Sequence, residues 1–229
     1  LSKFDGTRFI NYQKRNTNNT LGNNSIICLS EYNNKLYIGT ENGLFTYNYC
    51  SGQFNRCTKC IHSIVTGLTK DKKGNLWIST RDQGILRISS QNGIKRYKLK
   101  SNEIASGVYS DRSGRLWATG SNAFYLFNER KGCFENFSLN GKSNNIYCFA
   151  LCEDSKHNFW IGTWDKGIIK LDVNKHTFTP IYKASIFNNM LHIHSITEYK
   201  PGILLVGSDE GLALYNTSTG DCKKYICDE

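Results

Sequence analysis

Five short apolar runs recur along the chain: LYIGT from Leu36, LWIST from Leu76, LWATG from Leu116, FWIGT from Phe159 and LLVGS from Leu204. Their starts lie 40, 40, 43 and 45 residues apart. A polar turn follows each run, as in ENGLF, RDQGIL, SNAFYL, WDKGII and DEGLAL, and then a short apolar stretch. A second turn rich in Asn, Ser and Gly comes next, as in NTSTG, and a last strand such as CKKY closes the period. Another strand precedes each run, so every period holds four short strands separated by turn residues. Helical periodicity near 3.6 is absent. Four antiparallel strands every 40 to 45 residues is the pattern of a β-propeller blade, and the turns of a stacked β-helix are shorter.

The sequence therefore predicts an all-β fold, a β-propeller of four-stranded antiparallel blades. LSKFDGTRFINY at the start matches the back half of a repeat, so residues 1–12 are expected to be half a blade. Five blades follow at 13–56, 57–100, 101–140, 141–187 and 188–229, all within one partial propeller at 1–229. The set is incomplete and is expected to form part of a seven-bladed ring, the chain being an excised or processed piece.

Three columns support the alignment. The residue before the last apolar position of each first strand is small: Cys28, Gly67, Gly107, Ala150 and Ser195. Small residues there let innermost strands approach one another. Gly43, Gly84, Gly167 and Gly211 occupy a turn position that suits φ > 0. The third repeat has Ala123 instead, which predicts a reshaped turn with Gly120 in partial compensation. Trp77, Trp117 and Trp160 share the second motif position with Tyr37 and Leu205, as blade-to-blade packing requires.

Composition narrows the chemistry. A net charge of +10 raises nucleic acid, anionic membrane and acidic glycan as partners. The basic residues are dispersed, however, and the densest run, Lys95 to Lys100, alternates like a strand with one solvated face. Neither nucleic acid nor membrane contact is expected. No apolar run approaches the roughly 20 residues that span a bilayer. The nine cysteines include Cys57 and Cys60 at metal-site or disulfide spacing, but no second pair matches them. Cys148 and Cys152 read as small apolar strand residues. G-x-S-x-G, HExxH and P-loop motifs are absent. His192 and His194 fall on one strand face and either ligate a metal with a third partner or form a solvated pair. Glu153 and Asp154 read as turn carboxylates that either cap or solvate. No catalytic residue, metal or cofactor is expected. The long connection from Tyr182 to His194 is a candidate flap or partner contact.

LWIST…QGIL, FWIGT…KGII and LYIGT…NGLF, at periods near 42, resemble the two-component-regulator propeller repeat. DRSGRLW and DKKGNLW match that family's approach to the strand, whereas EYNNKLY and EYKPGILL depart from it. The resemblance covers essentially the whole chain. It implies a sensor module of a hybrid two-component system, located in the periplasm, with a neighbouring propeller and β-sandwich domain and a homodimeric parent. It also implies an oligosaccharide ligand, and Arg81 with the net charge of +10 favours an acidic sugar. Kinase activity would lie outside this chain, so no enzyme activity is expected of it. A propeller enzyme acting on polysaccharide, lyase-like, and a protein-interaction propeller are the alternatives.

Propeller loops on one rim share a mouth. The turns between second and third strands place Glu41, Arg81, Asp82, Trp164, Asp165, Lys166 and Asp209 there as candidate ligand-binding residues. Trp164 is the exception, because its equivalents are Glu41, Arg81, Ser121 and Asp209. A large ring at a polar position is either a platform for a sugar face or a packing residue against the adjacent blade.

Overall fold

The structure, a computed structural model, describes residues 1–15, 19–57, 63–91, 93–99, 103–120, 123–137, 147–181 and 192–225. Among these residues every regular element is a strand. Two compact units divide the chain, Leu1–Ser110 and Asp111–Glu229.

In the first unit, β1 (Ser2–Phe4) and β2 (Phe9–Asn11) pair as a two-stranded sheet. The first blade comprises β3 (Ile26–Tyr32), β4 (Lys35–Thr40), β5 (Gly43–Asn48) and β6 (Phe54–Arg56). The second comprises β7 (Val65–Lys70), β8 (Leu76–Thr80), β9 (Gly84–Ile88) and β10 (Ile94–Tyr97). β11 (Ala105–Ser110) ends the unit and opens the third four-stranded sheet.

In the second unit that sheet continues as β12 (Leu116–Gly120), β13 (Phe124–Asn128) and β14 (Cys133–Asn136). The fourth blade is β15 (Cys148–Glu153), β16 (Phe159–Thr163), β17 (Ile168–Asp172) and β18 (Thr177–Pro180). The fifth is β19 (Ile193–Lys200), β20 (Ile203–Ser208), β21 (Gly211–Asn216) and β22 (Cys222–Tyr225). Each sheet runs in simple sequence order. The fold is an all-β propeller of five four-stranded antiparallel blades with a partial blade before them.

The core lies between blade faces. In the first unit Tyr32, Tyr37 and Leu44 of one blade pack on Val65, Ile78 and Leu86 of the next. In the second unit Trp160 and Ile168 pack on Ile193, Leu204, Val206 and Tyr215. The shared motif supplies both sides, since β8, β12 and β16 are buried along their whole length.

Each repeated residue type has a local cause. Trp77, Trp117 and Trp160 are buried, so their indole N–H groups need a partner. Each donates to an aspartate six residues earlier: Trp77 to Asp71 at 2.6 Å, Trp117 to Asp111 at 2.9 Å and Trp160 to Asp154 at 2.9 Å. The same carboxylates cap the intervening turn, accepting for example from the backbone of Asn75, Arg115 and Asn158. Asp154 is thus a turn cap, and Glu153 reaches back to the third blade, accepting from the Arg112 backbone at 2.6 Å. Glu198 repeats this contact on Ser155 at 2.7 Å.

In four of the repeats the Thr or Ser that ends the motif closes the next turn. Thr163 Oγ1 donates to Gly167 O at 2.8 Å and accepts from Lys166 N at 2.9 Å, and Thr40, Thr80 and Ser208 do the same in their turns. Gly43, Gly84, Gly167 and Gly211 have φ of 102°, 74°, 61° and 110°. In the third blade Gly120 N donates to Ala123 O at 2.7 Å, but neither residue has a positive φ. The expected compensation by Gly120 is therefore not of that kind, and the two residues between Gly120 and Ala123 lie outside the described residues.

The small column faces a second small column. Cys28, Gly67, Ala150 and Ser195 pair with Gly39, Ser79, Gly162 and Gly207. A Cβ on Gly162 would stand 2.6 Å from Ile193 Cγ2, so the glycine admits the first strand of the next blade. A β-bulge precedes the small residue each time, at Ile27, Thr66, Phe149 and His194.

Cys28 and Cys148 are thiols whose pKa burial pushes up to about 12, in keeping with small apolar strand residues. Cys60 and most of the Tyr182 to His194 connection lie outside the described residues. Tyr97 and Leu99 are buried while Lys95, Arg96 and Lys98 face solvent, so the basic run is the outer face of an edge strand. No helix among the described residues is long and apolar enough to cross a membrane.

Candidate functional site

The seven expected site residues divide between the units. In the first, Glu41, Arg81 and Asp82 are exposed in their turns. The backbone N–H of Glu41 donates to Ser25 O and that of Arg81 to Ile64 O, which docks each turn on the start of its own first strand. Asp82 accepts from the Ser63 hydroxyl, so this carboxylate already has a fixed protein partner.

In the second unit Trp164, Asp165, Lys166 and Asp209 are exposed. Trp164 N donates to Tyr147 O at 3.1 Å, the same docking of turn on strand start. Its carbonyl accepts from His192 N at 3.0 Å, and its ring stacks on the His192 imidazole with centroids 3.7 Å apart and planes at 27°. Phe149 flanks the indole at 5.4 Å. Trp164 therefore packs against the leading residue of the next blade and still keeps 43% of its surface exposed, beside Phe149 at 49%.

Asp209 is bonded to both histidines. His192 Nδ1 lies 2.7 Å from Oδ2 and His194 Nε2 lies 2.5 Å from Oδ1. The hydrogen bond from His194, then that from His192, holds the Asp209 carboxyl below the usual carboxylate range. Next to it Glu210 accepts from Lys224 Nζ at 2.8 Å. The structure thus joins Trp164 to Asp209 through His192, with Asp165 and Lys166 following Trp164 in the same turn. Among the described residues no group of three His, Cys, Asp or Glu side chains is arranged to hold a metal ion.

Phe149, His192 and His194 were not expected as members of this cluster. The signal was positional. Turns between second and third strands hydrogen-bond to the start of the first strand, so residues just before the small column stand beside them. The bulge then turns Phe149 and His194 outward. A separate concavity of about 630 Å³ lies against Arg115, Phe137 and His176, and none of the seven residues lines it.

Such a cluster offers flat apolar rings beside imidazoles and a carboxylate, the combination that holds the apolar face and the hydroxyl edge of a ring-shaped polar ligand.

Residues 61–82 and 140–165 match the family described as Two component regulator propeller. No curated protein sequence matches the chain. Among solved structures, the extracellular domain of the hybrid two component system BT4673 from B. thetaiotaomicron superposes with a TM-score of 0.83 at 20% identity, over 100% of this chain and 30% of that one. The extracellular domain of BT3049 from the same organism gives 0.79 at 22% identity, over 100% and 32%. This chain therefore spans about a third of their length. Virginiamycin B lyase from Staphylococcus aureus is also similar, at TM-score 0.72 and 16% identity, over 93% of this chain and 73% of that one.

Proposed function

From a chain that carries two-component-regulator propeller repeats, we propose that this module senses an oligosaccharide outside the cytoplasm for a hybrid two-component signalling protein. The observation that carries the reading is Trp164. It is a large, half-exposed ring in a turn that is polar in the other repeats, with Phe149 beside it and a hydrogen-bonding edge formed by His192, His194 and Asp209. The likeness to extracellular domains of hybrid two-component systems supports an extracytoplasmic module, and the periplasm is the compartment proposed for it. Ligand binding would change the signalling state only by differing in affinity between two arrangements of the parent protein, whose partners here are a second propeller, a β-sandwich domain and a second copy.

A thermal-shift screen of this chain against neutral and acidic glycan fragments tests the reading. Stabilisation by one glycan class, lost in Trp164→Ala, is the expected result. Stabilisation that survives Trp164→Ala, or none with any fragment, overturns the site.

The lyase-like alternative has one observation in its favour: two imidazoles on one carboxylate can move a proton. It predicts that the glycan is cleaved with a new double bond, seen as ultraviolet absorbance, and that His192→Gln abolishes this signal at saturating glycan.

A further inference from the structure

Resting on the reading of Trp164 as a sugar platform, we propose that His192 and His194, held by Asp209, select an acidic sugar, a uronate, when they are protonated.

The argument begins with Asp209. An ionised carboxylate only accepts hydrogen bonds. Its contacts to His192 Nδ1 and His194 Nε2 therefore place the proton of each neutral imidazole on those atoms. His192 Nε2 and His194 Nδ1 are left as acceptors, suited to a sugar hydroxyl. Protonation turns both into N–H donors. The charge of the three-residue cluster then passes from −1 to +1. Acidification only adds positive charge to an imidazole, whereas a sugar carboxylate, like an α-carboxyl at about 3.5, stays ionised above about pH 5.

The surroundings leave this change legible. Asp209, on the β20–β21 turn, is the charged group in contact with both imidazoles. Glu210 on the same turn is neutralised by Lys224 from β22. The fourth blade contributes the rings of Trp164 and Phe149, the latter 6.5 Å from His194. Asp165 and Lys166, after Trp164, carry opposite charges. His192 stacks 3.7 Å from the indole, so a pyranose on the exposed part of Trp164 lies beside the imidazoles.

Calorimetric titration with a galacturonate trimer and a neutral galactose trimer, at pH 5.5 and 8.0, tests the proposal. The galacturonate trimer is expected to bind about tenfold tighter at pH 5.5 than at pH 8.0, one charge-assisted contact converted to affinity. The neutral trimer is expected to show no such trend. The double variant His192→Gln, His194→Gln is expected to lose the trend, binding the galacturonate trimer with the same affinity at both pH values. A galacturonate affinity that is flat with pH, or a trend that survives in the double variant, overturns the inference and leaves the platform standing. Failure of both trimers at both pH values, with no shift of the His192 and His194 ring resonances on adding galacturonate monomer at pH 5.5, overturns the inference and the platform together.

Discussion

Two tryptophans four residues apart show how the same side chain takes opposite roles. Trp160 is 1% exposed, packed between blades and bonded to Asp154. Trp164 is half exposed and rests on His192. Removing a buried aromatic ring leaves a cavity, so Trp160→Ala is expected to cost about 3–5 kcal/mol. Trp164→Ala gives up an aromatic stack of roughly 0.5–1.5 kcal/mol. Urea denaturation of both variants checks the contrast, and equal losses would make Trp164 a core residue. Asp154→Ala belongs to the same scale. It strips the buried Trp160 indole N–H and the Asn158 backbone of their acceptor, at about 1–3 kcal/mol by the same measurement.

Among the elements, the recurring unit is the second strand with its turn. Thr163→Val keeps the shape but removes the hydroxyl that bonds Gly167 O and Lys166 N, groups of a buried turn start. It is expected to destabilise by about 1–3 kcal/mol, and Thr163→Ser, the residue type found at Ser208, to restore most of the loss. Gly162→Ala forces a methyl against Ile193 and is expected to cost about 1–3 kcal/mol through overpacking. Combining it with Ile193→Ala should give less than the summed losses, because the two residues share one contact. An additive double variant in thermal melts would contradict the close approach of these strands.

For the whole molecule, acid sensitivity follows from the repeated turn. Burial acts to raise the Asp71 and Asp154 carboxyls, but the indole and amide hydrogen bonds outweigh it and both lie below their ordinary value. Glu198 behaves alike: burial opposes, and the bonds from Gly202 and Ser155 prevail. A depressed folded-state pKa stabilises fully above the unfolded value, about 4 for these carboxylates, and the contribution is lost as pH falls through the folded value. The melting temperature is therefore expected to be insensitive to these groups between pH 7 and 5 and to fall below about pH 4. Asp154→Asn should flatten that fall in a melting series against pH.

The blade pattern was legible in the chain because each rule behind it is local. A strand alternates over neighbouring residues, a turn needs Gly at one position, and the Asp-to-Trp bond spans six residues. The repeat therefore showed four strands per period, the glycine turns and the buried Trp column directly from Leu36 to Leu204. The exception at Trp164 was visible too, as a ring among polar equivalents. What surrounds Trp164 was not. Phe149 and His194 are aimed by bulges, and a bulge is a pairing between strands rather than a property of one. His192 reaches Asp209 across 17 residues and Trp164 across 28, distances at which sequence carries no contact. Periodic local chemistry determined the propeller blades, while the packing of one blade's leading residues on the previous blade's turn decided the site.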